Sequence, residues 1–205
     1  NICKKHNVKV ISDEIHQDLI FGGHRHTPCA VLGDYDDILV TLLAPSKTFN
    51  LAGLQNSAVV IPDPEIRARF DKFSKAIRVF YGNMMGYVAA EAAYQGGRPW
   101  LEAVKAIITE NDRYLRNTLG SRMPGVFIPE LEGTYLLWLD FSACLESEQM
   151  VDFFENRCGL AVDYGKWFGG GDDCCVRVNL ATSPEIIHQA VETILGEYAK
   201  LTTAC

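Results

Sequence analysis

Residues 38–50 read ILVTLLAPSKTFN, an apolar run that ends in a lysine flanked by small hydroxyl residues. The run 38–43 has the length and the β-branched content of a buried strand in a parallel sheet. Open α/β sheets bind their ligands at the carboxyl ends of the strands, and Lys47 follows such an end. A lysine there can serve as a covalent nucleophile, although most lysines after strands are ordinary surface residues. This motif by itself leaves both interpretations of Lys47 open.

A second polar group follows an earlier apolar run at 8–12. Residues 12–16 read SDEIH, so Asp13 comes at the carboxyl end of the first predicted strand and faces the same crevice. A carboxylate there can keep a ring nitrogen protonated, and His16 can form a hydrogen bond to a neighbouring oxygen. The alternative is that the acidic residues Asp13 and Glu14 only cap a turn.

A third candidate is Arg177, which lies in the middle of the apolar run VRVNL at 176–180. An arginine that points inward from a strand needs a partner, and its planar fork matches a carboxylate. Strand alternation also permits an outward position, because Cys175, Arg177 and Asn179 share one face of the strand.

Hydrophobic patterning and capping signals predict an α/β chain. Asp63 and Pro64 supply an N-cap and a helix-compatible first residue. Predicted strands cover 8–12, 38–43, 58–61, 125–128, 134–141 and 176–181, and predicted helices cover 86–94, 147–158 and stretches starting at 64, 99 and 184. We expect a mostly parallel sheet with helices at 1–98, a bridging helix at 99–119, and a small α+β domain at 120–205.

Four runs of this sequence resemble one family of enzymes. They are VISDEIHQDL at 10–19, APSKTFNLAGLQNS at 44–57, GTYLLWLDF at 133–141 and VRVNLATS at 176–183. They resemble the pyridoxal phosphate (PLP) enzymes of the aspartate aminotransferase fold, within the class I/II aminotransferase family. The amino-acid sequence of these runs is most similar to the branch of cystathionine β-lyases and cysteine-S-conjugate β-lyases. The resemblance implies that this chain is the C-terminal half of such an enzyme, with the later part of the PLP-binding large domain followed by the small domain.

The resemblance also implies roles for three residues around the cofactor. Lys47 would form an aldimine with PLP and later move the proton of the substrate Cα. Asp13 would pair with the pyridinium nitrogen, so that the ring can accept electrons. His16 would stand where many relatives have a tyrosine beside the phenolic oxygen of PLP, a substitution that favours the lyase branch.

Two further residues receive roles from the resemblance. Arg177 would bind the α-carboxylate of the substrate, and Ser46 is a candidate contact to the cofactor phosphate. Two positions depart from the family pattern. Ala44 stands where relatives carry a phosphate-contacting serine or threonine, and Gln55 stands where aspartate aminotransferases carry a phosphate-binding arginine. Phosphate binding by this segment is therefore expected to be weak.

The resemblance leads to a specific expectation about function. We expect a PLP-dependent C–S β-lyase that cleaves an L-cysteine thioether to a thiol, pyruvate and ammonia, acting as a homodimer. One alternative is a class I/II aminotransferase, because the same residues serve transamination and the fold does not decide between the two. A second alternative is that this chain by itself is a non-catalytic fragment that needs its N-terminal half.

Composition excludes several other classes of protein. The 205 residues are 48% hydrophobic with a net charge of −7, and the basic residues are scattered, which argues against nucleic acid as a partner. No apolar run approaches the ~20 residues of a membrane helix. Seven cysteines form no even framework, so we expect free thiols and a cytoplasmic location. His24, His26 and Cys29 lack a second cluster with ligand spacing, and no metal site is predicted.

Overall fold

The computed structural model describes residues 1–79, 82–171 and 173–203, and the chain forms two compact units. Unit 1 is Asn1–Glu102 and unit 2 is Ala103–Cys205. The long helix predicted to start at residue 99 is observed at Arg98–Arg122. The boundary between the units falls inside this helix, and the predicted three-part division at residues 98 and 120 stays a prediction.

Unit 1 is built on a three-stranded sheet. Its elements in chain order are α1 (Ile2–Lys5), β1 (Val10–Asp13), β2 (Leu39–Leu43), α2 (Pro45–Thr48), β3 (Ala58–Val60), α3 (Pro64–Ala76), α4 (Met84–Gly96) and the start of α5 (Arg98–Arg122), with 3-10 turns at Cys29–Val31 and Ala52–Leu54. The strand order is β1-β2-β3. β1 and β2 are parallel, as predicted, whereas β3 is antiparallel to β2.

Side-chain caps explain where the helices of unit 1 begin. The Oδ1 atom of Asp63 accepts a hydrogen bond of 2.8 Å from the amide of Ile66, which confirms the predicted start of α3. The Oδ1 atom of Asn83 accepts one of 2.7 Å from the amide of Gly86 at the start of α4. Each cap satisfies a backbone donor that the first helical turn leaves without an intrahelical partner.

The two faces of the unit 1 sheet differ in burial. Leu39 and Thr41 project from one face of β2 and are buried. Ile11 projects from the opposite face, beside Val40, and is 69% exposed. Most of the exposed large apolar side chains of the described residues also lie in unit 1. One apolar face of this sheet is therefore open to solvent in the 205-residue chain.

Unit 2 contains a second, fully antiparallel sheet. After the end of α5 its elements are β4 (Leu136–Asp140), β5 (Asp163–Tyr164), β6 (Cys175–Asn179) and α6 (Pro184–Thr203), with 3-10 turns at Ser147–Gln149 and Gly165–Trp167 and a π-helical turn at Asp152–Arg157. The strand order β4-β6-β5 places β6 in the centre. The predicted helix at 147–158 is observed as continuous helical turns over 147–157, with a 3-10 turn at its start and a π-helical turn at its end in place of a regular α-helix.

The predicted strand at 125–128 is wrong. Only Phe127 pairs there, through two reciprocal backbone hydrogen bonds of 2.9 Å with Asp140. The next donor on that edge would come from Pro129, which has no amide hydrogen, so the ladder stops after one bridge.

The core of unit 2 is well packed around its sheet and helices. Leu139, Phe141, Phe154 and Leu180 are each fully buried. Asn111 on α5 is also fully buried, and its Nδ2 atom donates to the backbone oxygens of Leu180 and Thr182 at 2.9 Å each. These bonds attach α5 to the segment that follows β6 and so fix the end of the central strand.

Two further features bear on the sequence predictions. No helix in the described part of the chain is long and apolar enough to cross a membrane. Six cysteines fall within the described residues, and each of them is a free thiol.

Candidate active site

Lys47 lies directly after the carboxyl end of β2. The strand ends at Leu43, Ala44 is extended, and Pro45 occupies the first turn of the short helix α2 that contains Lys47. The Lys47 side chain is half-buried. Within the described part of unit 1 its amine has no hydrogen-bond or ion-pair partner.

Asp13 lies at the carboxyl end of the neighbouring strand. In the parallel register Asp13 is opposite Leu42, and the amide of Glu14 donates to the Leu42 oxygen at 3.0 Å. The segments that carry Asp13 and Lys47 therefore leave the sheet at the carboxyl ends of β1 and β2, which we call the carboxyl edge of the sheet. The Oδ1 atom of Asp13 accepts a 3.2 Å hydrogen bond from the amide of Ile15, which is the turn-capping contact considered from the sequence. The exposed carboxylate forms no ion pair in the described part of unit 1.

His16 and Ser46 flank this edge on the two segments. His16 is half-buried in the turn after β1, where its backbone oxygen accepts a hydrogen bond from the Leu19 amide at 2.9 Å. Ser46 is half-buried in α2, and its backbone oxygen accepts one from Leu51 at 2.9 Å. The structure thus places four of the five predicted site residues in unit 1, on two adjacent segments at the carboxyl edge of the sheet.

The sequence predicts Glu14 only as part of a turn cap, yet in the structure its carboxylate accepts three hydrogen bonds. It is buried, and its carboxylate accepts hydrogen bonds from the Cys29 amide (2.8 Å), the His26 Nε2 atom (2.9 Å) and the Ser12 hydroxyl (3.0 Å). Burial favours a higher pKa, but these bonds outweigh it and hold the pKa of Glu14 below its ordinary value. Glu14 therefore fixes the loop 15–29 to the end of β1.

We expect Glu14→Ala to lower the free energy of unfolding by about 1–3 kcal/mol at neutral pH, because it leaves buried donors without an acceptor. The pKa of Glu14 is lowered in the folded state, so its contribution is present above the usual glutamate range and is lost as the pH falls through the folded pKa. Urea titrations at neutral and acidic pH measure the difference in the free energy of unfolding between the wild type and Glu14→Ala. This difference should become smaller in acid, and a difference that does not change with pH would contradict the role of the ionised carboxylate. The exposed Glu102→Ala serves as the control, with no expected loss.

A second contact joins the two segments directly. The hydroxyl of Thr48, which is buried at the end of α2, donates to the Oδ2 atom of Asp18 at 2.9 Å. Thr48 follows Lys47, and Asp18 lies two residues after His16. The sequence did not reveal this pair, because a contact across 30 residues depends on the parallel pairing of β1 and β2 rather than on any local pattern.

Arg177 lies in unit 2, on the central strand β6. Its Nε and Nη2 atoms donate to the Oδ2 atom of Asp163 at 3.1 and 2.7 Å. The guanidinium therefore has an ionic partner, which is what an arginine on an apolar strand requires. Asp163 is a further residue that sequence reasoning missed, because the pairing of β5 with β6 is not visible in the local pattern.

These observations define a class of α/β protein with a lysine and a carboxylate at the carboxyl edge of adjacent parallel strands. A model of the family described as aminotransferase class I and II matches residues 1–194. The chain belongs to this family, which is PLP-dependent.

Several relatives within the family are named lyases. The chain is 37% identical to cystathionine beta-lyase PatB of Bacillus subtilis over 94% of its own length and 50% of the relative's. Its fold is similar to the PLP-containing cystalysin of Treponema denticola, with a TM-score of 0.90, 33% identity, and coverage of 98% of this chain and 51% of that one. The PLP-bound C-S lyase of Staphylococcus hominis gives a TM-score of 0.87 at 29% identity, with 97% and 52% covered. The chain spans about half the length of the curated relatives it matches.

The residues of unit 1 fit PLP by their chemistry. A half-buried amine with no partner in the described part of the unit is suited to the aldehyde of PLP, and an exposed carboxylate without a cation is suited to its protonated ring nitrogen. Two positions of this segment offer neither a hydroxyl nor a positive charge to the phosphate of PLP. Ala44 offers no hydroxyl at the start of α2, and Gln55 is an exposed, uncharged residue with a left-handed backbone (φ 49°).

Proposed function

We propose that the complete protein is a PLP-dependent C–S β-lyase that cleaves an L-cysteine thioether to a thiol, pyruvate and ammonia. The observation that carries this proposal is the position of Lys47 and Asp13 at the carboxyl edge of the parallel strands β1 and β2. The relatives named cystathionine beta-lyase, cystalysin and C-S lyase support the reaction class.

Each residue of the edge has a distinct task in this proposal. Lys47 would hold PLP through a covalent bond from Nζ to the aldehyde carbon, formed with loss of water, and would be released when the substrate amine takes its place. The freed Nζ amine would then remove the proton from the substrate Cα. Asp13 would keep the ring nitrogen of PLP protonated, and Ser46 would contribute to binding its phosphate. When bound, PLP withdraws electrons from the substrate Cα and so makes its proton more acidic.

His16 and Arg177 complete the set. His16 would donate a hydrogen bond to the phenolic oxygen of the cofactor from the turn after β1. Arg177 binds the α-carboxylate through the planar fork of its guanidinium. The homodimer implied by the family resemblance and a cytoplasmic location are part of this proposal.

The chemical balance of the reaction is simple. Lys47 Nζ takes the Cα proton, the Cβ–S bond breaks, and its electron pair leaves with the sulfur, which becomes a thiol after protonation. The remaining three-carbon unit takes up one water and yields pyruvate and ammonia. No external oxidant or reductant is consumed.

We expect the complete protein to form pyruvate from cystathionine without any added keto acid. The reason is that β-elimination consumes only water, whereas an aminotransferase needs a keto acid to regenerate its cofactor. Pyruvate measured with lactate dehydrogenase, compared with glutamate formed from an amino acid plus 2-oxoglutarate, separates the two activities. Glutamate formation with no pyruvate from cystathionine would contradict the lyase and support the aminotransferase.

The alternative that residues 1–205 are non-catalytic by themselves is favoured by one observation. The face of the unit 1 sheet that carries Ile11 is apolar and open, and such a surface promotes association or aggregation. For this reason every activity experiment proposed below uses the complete protein.

A further inference from the structure

Asp163 lies beside the arginine that the proposed function assigns to the substrate carboxylate. In the antiparallel pairing of β5 with β6, Asp163 is directly opposite Arg177. Both donors on one edge of the guanidinium, Nε and Nη2, point at a single oxygen, Asp163 Oδ2. The edge that carries Nε is therefore occupied by the protein's own carboxylate.

Phe168 fixes the same guanidinium from a second direction. Its ring centroid lies 4.6 Å from Arg177 Cζ, which is the geometry of a cation–π contact. The ring in turn packs against Trp138 on β4, with centroids 5.6 Å apart. One contact holds the edge of the guanidinium and the other covers its face, so both its position and the tilt of its plane are set.

The remaining donors form a second edge. Arginine has five N–H groups, and Asp163 uses two of them. The two hydrogens of Nη1 and the second hydrogen of Nη2 have no acceptor among the described residues of unit 2. This end of the fork matches the two oxygens of a carboxylate, so a second anion can bind without displacing Asp163.

We propose that Asp163 is a positioning residue that orients Arg177, so that the Nη1 and Nη2 end of the guanidinium receives the α-carboxylate of the amino-acid substrate. The inference rests on the proposed function, because it takes Arg177 as the carboxylate-binding residue. Asp163 does not itself touch the substrate.

The Asp163 carboxylate has two opposing effects on substrate binding at Arg177. The negative charge of Asp163 also repels an incoming carboxylate, and a simple competitor for Arg177 would weaken substrate binding. Both side chains are partly exposed, 33% for Arg177 and 42% for Asp163, so solvent screens this repulsion. Orientation of the long arginine side chain is not screened, and we take it as the larger effect.

The experiment compares Asp163→Ala and Asp163→Asn in the complete, PLP-loaded protein with cystathionine as substrate. Asp163→Ala should raise KM about tenfold with kcat changed less than about twofold, because carboxylate binding and not the chemical step is affected. Asp163→Asn keeps an oxygen that accepts from Arg177 and should retain a KM near or below that of the wild type. Asp152→Ala is the matched control, since it removes another Arg–Asp contact of 2.9 Å in unit 2 and should leave KM unchanged.

Labelling of Arg177 with phenylglyoxal, followed by peptide mass spectrometry, provides a measurement that needs no turnover. Labelling should be faster in Asp163→Ala than in the wild type and Asp163→Asn. The proposal is overturned if KM of Asp163→Ala is unchanged or lower, or if Asp163→Asn is as impaired as Asp163→Ala. An active wild type with either result disproves only the role of Asp163, whereas a wild type that forms no pyruvate from cystathionine disproves the proposed function.

Discussion

Lys47→Ala will reduce kcat/KM of the complete protein on cystathionine by about 10²–10⁴-fold or more, the range for loss of a group that transfers a proton in the transition state. The loss is large because no other amine in the described part of the chain follows the carboxyl end of β1 or β2 within a helical turn. The Lys47 amine also has no partner in the described part of unit 1. Its removal therefore deletes the amine without breaking a hydrogen bond or ion pair in that part of the unit. Pyruvate formation measures the effect.

A chemical readout accompanies this test. Borohydride treatment of the PLP-loaded wild type, followed by peptide mapping, should place the reduced adduct on Lys47. Lys5→Ala is the control, since Lys5 is an exposed lysine at the end of α1 and its loss should leave both activity and labelling intact. Retained pyruvate formation in Lys47→Ala, or an adduct spread over several lysines, would disprove the assigned role.

The parts of the fold that were predicted correctly depend on local signals. The Asp63–Pro64 cap, the apolar run before Lys47 and the start of α5 each concern neighbouring residues, and each is observed. The family resemblance then assigned the fold as a whole, and the match over residues 1–194 confirms it.

The parts that were missed depend on pairings between distant segments. The antiparallel direction of β3 depends on its pairing with β2. The single bridge at Phe127 depends on its pairing with Asp140 and on Pro129. A hydrophobic pattern does not show how distant strands pair. The same holds for the site. Asp13 and Lys47 could be placed at one edge from the strand pattern, but the partners Glu14–His26, Asp18–Thr48 and Asp163–Arg177 emerge only from tertiary structure.

The second large effect concerns the charge of Asp13. Asp13→Asn keeps the size of the side chain and an oxygen that can accept from the Ile15 amide, so the turn after β1 should persist. What is lost is the negative charge that the proposed function assigns to the ring nitrogen of PLP. An opposite charge at 4–6 Å shifts a pKa by about 1–3 units, and each unit corresponds to about a factor of ten in the protonated fraction once the group titrates. We therefore expect kcat/KM to fall about 10–1000-fold.

The pH profile of this variant distinguishes a charge effect from a structural one. With the carboxylate gone, the ring nitrogen loses its proton at lower pH, so the deficit of Asp13→Asn should shrink in acid and grow in base, whereas a folding defect would leave it constant. The control is Asp36→Asn, which removes an exposed carboxylate from the segment that connects β1 to β2. Activity of Asp13→Asn within about twofold of the wild type across the pH range would exclude Asp13 as the partner of the ring nitrogen. A shift of one unit in the pKa of that nitrogen changes its protonated fraction by about tenfold once it titrates, which is more than twofold.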